Sequence, residues 1–369
     1  MLNIGVLTSS RADYGIYLPL LKKIQADNFF ALEIIAFGTH LSKFHGYTLS
    51  EIMEGNYPKV HTISALLSND SENAISTAYA LTALKFSDFW EQNNFDIVLC
   101  LGDRFEMSAA VQAGIPFNIK FAHIHGGETT LGAIDNIYRH QISLAASLHF
   151  TAGKEFSQRI EKLIGTSRNI FTVGSLSLDD LLNFPLLSEK NFREKFKIEN
   201  EFVLITFHPE TVSSKENIHH ANAIKKGLGE LGKHIHLVVT LPNADTSGTI
   251  FREALQELKV NNFNGITLIE NFGKTNYFSA MKYAKFMLGN TSSGIIEAAS
   301  FNKYVINVGD RQKGRSQSKN TVNISFDAVE ILQKSIDFLK LGEFHGENIY
   351  FKEKAADSIV NKLKKYAEL

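Results

Sequence analysis

The feature that most constrains this chain is an alternation sustained over nearly all of its 369 residues: short, β-rich apolar runs separated by longer helical patterns. That alternation is the mark of βαβ units and parallel sheets. Strands are expected at about 2–8, 31–37, 96–102, 118–125, 148–152 and 170–174 in the first half. The second half repeats the scheme, with strands expected near 202–208, 234–241, 265–270, 285–289, 304–308 and 321–325. The polar stretch from Leu187 to Lys195 has little apolar periodicity and reads as part of the joint between the halves, with the boundary near 175–200. The length points the same way, because single cores usually stop growing at about 250–300 residues. The expected fold is therefore α/β, with two doubly wound parallel-sheet domains, divided near 175–200, facing a central cleft.

Open parallel sheets bind ligands at the carboxyl ends of their strands. Polar, chemistry-bearing residues follow the expected strands throughout: Ser9-Ser10-Arg11, Gly102-Asp103-Arg104, His125-Gly126-Gly127-Glu128, Phe207-His208-Pro209-Glu210, Pro242-Asn243-Ala244-Asp245 and Gly289-Asn290-Thr291-Ser292-Ser293-Gly294. Whole-chain charge offers no alternative attraction. With 38 Lys+Arg against 39 Asp+Glu, the formal net charge of -1 supplies no field for nucleic acid or an anionic membrane, so any anion is bound locally. No apolar run approaches the ~20 residues needed to span a bilayer. The chain opens directly on strand-like Leu2-Asn3-Ile4-Gly5-Val6-Leu7, and Cys100, its one cysteine, sits in an apolar run as a small hydrophobe. A reducing, cytoplasmic setting is the expectation.

Gly289 to Gly294 joins a strand to a helix expected from Ile295 onward, placing hydroxyls and free N–H groups at a helix start. Ordinary capping by Ser and Thr would look the same. Glu297, one turn on, tips the reading toward a nucleotide, since a carboxylate there can accept ribose hydroxyls. Arg11 is placed to fork onto phosphate oxygens, or else to pair with a surface carboxylate. The basic stretch Gly309-Asp310-Arg311-Gln312-Lys313-Gly314-Arg315 is a second candidate to close over an anion, its glycines suggesting mobility. Between these lies a dense set of ionisable groups: Asp103, Arg104, Glu106, His123, His125, Glu128, Asp135, Arg139 and His140. General acid–base chemistry needs such convergence. Bland alternatives stand beside it, with His123 as a satisfied core histidine and Asp103 as a helix cap. A metal site is a further alternative, because a His-x-His pair on a strand directs both rings to one face, although acidic partners at metal spacing are not evident.

Eight ordered motifs together resemble the hydrolysing UDP-N-acetylglucosamine 2-epimerase family and its relatives acting on 2,4-diacetamido-2,4,6-trideoxy sugars. They are T-S-S-R-A-D-Y-G (8–15), L-G-D-R-F-E (101–106), A-H-I-H-G-G-E (122–128), A-I-D-N-I-Y-R-H (133–140), F-H-P-E-T (207–211), L-P-N-A-D (241–245), G-N-T-S-S-G-I-I-E (289–297) and G-D-R-Q-K-G-R (309–315). The resemblance spans essentially the whole chain. It implies two Rossmann-like domains of glycosyltransferase-B type, one of residues 1–175 plus 352–369 and one of 176–351, with residues 352–367 as a final helix crossing back onto the first domain. It also implies that Arg11, His208, Ser292, Ser293 and Glu297 contact the nucleoside diphosphate, and that Asp103 and the region of His125, Glu128 and Asp135 serve the sugar. The expected assignment makes Asp103, His125, Glu128, Asp135 and His208 catalytic. Arg11, Asn243, Ser292, Ser293, Gly294, Glu297, Arg311 and Arg315 bind the nucleotide and its phosphates, while Arg104, Arg139 and His140 bind the sugar. No metal and no cofactor are expected, and the implied partners are a nucleotide-sugar substrate and other copies of the chain in a dimer or tetramer.

One departure stands out. The N-acetylglucosamine enzymes read H-I-E-G-G-E where this chain has His125. The family reaction, anti elimination of the diphosphate followed by syn hydration of a glycal, needs acid–base groups on opposite faces of the sugar. A neutral imidazole does such work near neutral pH. The H-I-H-G-G-E form is similar to the diacetylbacillosamine branch that feeds legionaminic acid synthesis. Hydrolysing or non-hydrolysing N-acetylglucosamine epimerases, a glycosyltransferase and a non-catalytic nucleotide-sugar sensor are the competing readings, the last disfavoured by the first-half ionisable cluster.

Overall fold

The computed structural model describes residues 1–369 other than 44, 45, 68, 70, 132, 180, 182, 183, 211–213, 243–247, 262–264, 271, 368 and 369. The chain divides into two compact units: Met1–Glu128, Asp135–Asp180 and Tyr350–Leu369 form the first, Thr129–Ile134 and Leu181–Ile349 the second.

In chain order the first unit contains β1 (Leu2–Thr8), α1 (Arg11–Gln25), β2 (Phe30–Phe37), α2 (Leu49–Met53), β3 (Lys59–Ile63), α3 (Glu72–Gln92), β4 (Ile97–Leu101) and α4 (Phe105–Gly114). It continues with β5 (Phe121–Ile124), α5 (Asp135–Ala145), β6 (Ala146–Thr151), α6 (Lys154–Ile164) and β7 (Ile170–Thr172). All seven strands are parallel, in the order β3-β2-β1-β4-β5-β6-β7. The second unit has α7 (Glu189–Phe196), β8 (Phe202–Thr206), α8 (Asn217–Leu231), β9 (His236–Thr240), α9 (Gly248–Asn261), β10 (Ile266–Ile269), α10 (Gly273–Tyr283) and β11 (Met287–Gly289). It ends with α11 (Ser292–Ile296), β12 (Val305–Val308), β13 (Thr321–Ile324) and α12 (Ala328–Leu339), before α13 (Ala355–Ala367) returns to the first unit. Its six parallel strands run β10-β9-β8-β11-β12-β13.

Burial explains why these runs become central strands. In β1, Ile4 and Val6 pack with α1 and α13 residues such as Tyr17, Leu21, Ile359 and Leu363, while Leu7 joins Phe86, Trp90, Val98 and Met107 on the opposite face. Cys100 lies in that second cluster, fully buried, where burial pushes its thiol well above the ordinary range, as a small hydrophobe should behave. The second sheet is clad likewise, with Val203, Ile205 and Ile306 on one face and Leu204, Val238 and Met287 on the other. Every expected strand forms. The unforeseen element is β3, whose Lys-Val-His-Thr-Ile sequence lacks an apolar run because it lies at the sheet edge and buries only Ile63 fully.

In each sheet the order of connection reverses once, between β1 and β4 and between β8 and β11. These are the topological switch points, where the loops after neighbouring strands part and leave a crevice. Glycine is required at the second. Gly289 adopts φ +143, and a Cβ there would lie 1.9 Å from the Thr206 carbonyl oxygen of the adjacent strand. Gly289→Ala is therefore expected to lower stability by at least about 2 kcal/mol. Its urea midpoint should drop accordingly, and a wild-type midpoint would show that the strand end relaxes freely.

Candidate active site

At the first switch point the loop after β1 is held by Asp13. Its carboxylate accepts the backbone N–H groups of Ser9 (2.9 Å) and Ser10 (3.0 Å) and the hydroxyls of Thr8 (2.6 Å) and Ser9 (3.0 Å). Burial alone would raise Asp13, but the neighbouring His40 and these donors outweigh it and leave the carboxyl below its usual range. His40 extends the network to Thr8 (2.9 Å) and Thr48 (2.8 Å). Arg11 is the first residue of α1, and its Nε lies 3.3 Å from a Glu51 carboxylate oxygen. The surface-carboxylate alternative is thus the one formed within this unit.

The loops after β4 and β5 assemble the ionisable cluster around Arg139. This guanidinium, from α5, is almost wholly buried and binds Asp103 through Nη2 and Glu128 through Nη1 (3.4 Å). Burial lowers its proton affinity, yet the charges of Asp103, Glu128 and, more weakly, Asp135 at the start of α5 more than compensate and leave it raised. Glu128 also receives the His125 ring, with Nδ1 2.7 Å from Oε1. Asp103 does not cap α4; the residue at that cap is Arg104, whose side chain forks onto Glu106 at 3.0 and 3.2 Å instead. His140 is half-buried beside Asn136, and burial, then Arg139 and Arg159, lower its proton affinity.

The alternative in which His123 and His125 share one strand face is not the one formed. β5 ends at Ile124, and His125 takes φ +65, which turns its side chain out of the strand alternation. His123 spends both ring nitrogens internally, donating from Nε2 to the Gly102 carbonyl (2.8 Å) and pairing Nδ1 with the Ser143 hydroxyl (2.9 Å). Burial drives it down to about 3. It is a satisfied core histidine that anchors the turn carrying Asp103.

In the second unit three loops are stitched together. The Asn290 side chain accepts the His208 N–H (2.7 Å) and donates to the His208 carbonyl (2.8 Å), fixing a buried His208 beside the start of α11. The Asn290 carbonyl in turn accepts Gln312 Nε2 (2.9 Å) and Arg311 Nη1 (3.4 Å). Glu210 receives the backbone N–H groups of Asp310 (2.5 Å) and Arg311 (3.1 Å), with burial holding its carboxyl above the usual range. The loop expected to be mobile is tied at these points, its glycines meeting turns at φ +77 and +78. Thr291 occupies the α11 N-cap position without a side-chain cap bond. The helix lies earlier than expected: it starts at Ser292 and ends at Ile296, and Glu297 is its buried C-cap, ahead of a tighter turn at Ala298–Phe301. Gly294 is buried, and Ser292 and Ser293 are partly exposed in that first turn. Tyr277, pushed up to about 12 by burial and eased by the hydroxyls of Thr206 and Ser293, is raised further by the charge of Glu297. Arg315 is nearly buried. Asn243 lies outside the described residues.

Residues 22–364 match the family model described as UDP-N-acetylglucosamine 2-epimerase. The chain belongs to that family. A relative from Campylobacter jejuni, the GDP/UDP-N,N'-diacetylbacillosamine 2-epimerase (hydrolyzing), is 35% identical over 92% of this chain and 88% of its own length. The UDP-N,N'-diacetylbacillosamine 2-epimerase (hydrolyzing) of Legionella pneumophila is 33% identical over 88% of this chain and 85% of its own. A solved UDP-GlcNAc 2-epimerase from Neisseria meningitidis, bound to UDP-GlcNAc, shares the fold with a TM-score of 0.83 at 17% identity, covering 99% of this chain and 100% of that one. The protein is an enzyme of the hydrolysing nucleotide-sugar 2-epimerase kind, with a glycosyltransferase-B-like fold.

Sequence reasoning left Asn290, Glu210 and Ser175 of the epimerase unassigned. The first two stand inside quoted motifs, so their position after strands was the available signal; Ser175, whose hydroxyl lies 3.4 Å from His125 Nε2, also follows an expected strand but stands in no quoted motif. Among the described residues no helix is long and apolar enough to cross a membrane. The buried histidines also set an acid limit. His149, opposite His123 in the sheet, is driven by burial to about 4 from an ordinary 6.5. Lowered values mean that the unfolded chain binds more protons, so this stability is complete above pH 6.5 and is lost as pH falls toward 4 and then 3. His149→Leu should flatten the decline in denaturant midpoint between neutral pH and about pH 5. An unchanged slope would remove His149 as a source of it.

Proposed function

We propose that the chain converts UDP-2,4-diacetamido-2,4,6-trideoxyglucose and water to 2,4-diacetamido-2,4,6-trideoxymannose and UDP. The observation that carries this reading is the identity of 35% over 92% of the chain to the Campylobacter enzyme named for diacetylbacillosamine. The imidazole of the H-I-H-G-G-E segment favours the same branch. The proton at carbon 2 is removed as the diphosphate leaves carbon 1, giving a glycal; water then adds to carbon 1 and a solvent-derived proton enters carbon 2 from the opposite face. Asp103, His125 and Asp135 supply the acid–base groups beside the sugar, with Arg139 bonded to Asp103. Ser292, Ser293, Glu297, His208 and Arg311 of the second unit take the nucleoside diphosphate. Released free sugar of this kind is a precursor for legionaminic acid, which fits a cytoplasmic enzyme. Exposed Ile137 and Leu144, seven residues apart on α5, support assembly as a homo-oligomer.

An NMR time course with the UDP and GDP forms of the diacetamido sugar and with UDP-N-acetylglucosamine tests the substrate. Efficient turnover of N-acetylglucosamine with none of the deoxy sugar overturns the choice. In deuterated water the product should carry deuterium at carbon 2, and retained protium there excludes the elimination route. Asp103→Asn should reduce the rate by about 10²–10⁴ while UDP affinity measured by calorimetry persists. Near-normal turnover would show that Asp103 only organises its loop.

A further inference from the structure

An imidazole presents a defined basic nitrogen when a partner fixes the other, and the surroundings of His125 fix Nδ1. A carboxylate has no proton to give, so the 2.7 Å contact to Glu128 is an Nδ1–H donating to Oε1. Glu128 is itself fixed: it is 1% exposed and its Oε2 accepts from Arg139, the same guanidinium that binds Asp103. The basic lone pair is then left on Nε2, which faces the Ser175 hydroxyl at 3.4 Å. That hydroxyl is wholly buried and held in place, 2.9 Å from Ser177 Oγ, with the Ser175 N–H bonded to the Tyr350 carbonyl at 2.8 Å. The ring's backbone is fixed as well, the His125 N–H donating to the Phe150 carbonyl at 2.9 Å. No solvent reaches Ser175, which excludes it as a nucleophile.

We infer that Glu128 and Ser175 are positioning residues that hold His125 as its Nδ1–H tautomer, with Nε2 as the atom that takes and returns the proton at the sugar. This rests on the reaction proposed above. When Nε2 gains a proton, the resulting imidazolium keeps Nδ1–H bonded to Glu128; the carboxylate stabilises that charge and receives no proton. Glu128 thereby passes from an expected catalytic residue to one acting through His125. Both of its oxygens are engaged, one by an imidazole and one by a guanidinium.

The test reads the tautomer directly. Protein labelled with ¹⁵N-histidine, with His125 assigned by comparison with His125→Gln, should show a pyrrole-like Nδ1 and a pyridine-like Nε2 at neutral pH. In Glu128→Gln, Arg139 claims the amide oxygen, so the amide NH₂ faces the ring, donates to Nδ1 and moves the proton to Nε2. The two nitrogen signals should exchange character, and kcat should fall about 100-fold or more with KM within about twofold. Ser175→Ala should keep the Nδ1–H form while kcat falls about 3- to 10-fold, the scale of one lost neutral hydrogen bond. An Nε2–H tautomer in the unaltered protein overturns the proposal even if Glu128→Gln fails to fold, as does a Glu128→Gln protein that keeps the original tautomer or the original kcat. An unchanged kcat in Ser175→Ala removes Ser175 from it. Lack of turnover on every nucleotide sugar, with the Nδ1–H form present, would sink the reaction and spare the tautomer assignment.

Discussion

Apolar burial on both faces of each parallel sheet is the constraint from which the remainder follows. Helices cover Ile4, Val6 and Leu99 on one side of the first sheet and Val98 and Cys100 on the other, so the strands themselves have no room for polar chemistry. The charged groups gather at strand ends and loops, where backbone donors and acceptors are free to engage them, while a polar residue inside a strand, such as His123, is spent on internal bonds. The reversal of strand order at β1/β4 and β8/β11 then selects which loops diverge. Ser10 and Asp103 follow one pair of strands, and His208 and Asn290 follow the other.

The two units hold those loops by different physics. In the first, a buried cation does it: Arg139 satisfies Asp103 and Glu128 together, and Glu128 satisfies His125. Such an arrangement offsets the desolvation of three charges only while all partners remain, and deleting one member of a buried pair typically costs about 3–5 kcal/mol. In the second, neutral ties dominate. The Asn290 amide reproduces a backbone-like pair with His208, and its carbonyl reaches the loop after β12. The charged first-unit cluster is suited to moving protons. The second-unit loops are suited to presenting fixed donors to an anion.

Much of this architecture was legible before any coordinates. All twelve expected strands form, because continuous apolar runs bounded by turn residues leave few alternatives. The edge strand β3 escaped notice because solvent on one side removes the apolar signature, leaving Lys59, His61 and Thr62 in a five-residue strand. The extent of α11 was misjudged for a local reason: the chain tightens after Ile296, which makes Glu297 a cap rather than an interior helical residue. The loop at 309–315 was read as mobile from its glycines, whereas those glycines meet left-handed turns in a segment tied to Glu210 and Asn290.

From residue order alone followed the fold class, the family and the identity of the chemistry-bearing side chains, because periodicity and motif spacing are local properties of the chain. Pairing was decided only in three dimensions. His123 and His125 are two residues apart and identical in type, yet one is a neutral anchor for the Gly102 carbonyl and the other is bonded to Glu128 and faces Ser175. Ser175 is fifty positions from His125 in the chain, and Arg139 thirty-six from Asp103. A side chain's charge state and tautomer depend on burial and on which partner stands within hydrogen-bond reach, and neither quantity exists until the strands have brought their loops together.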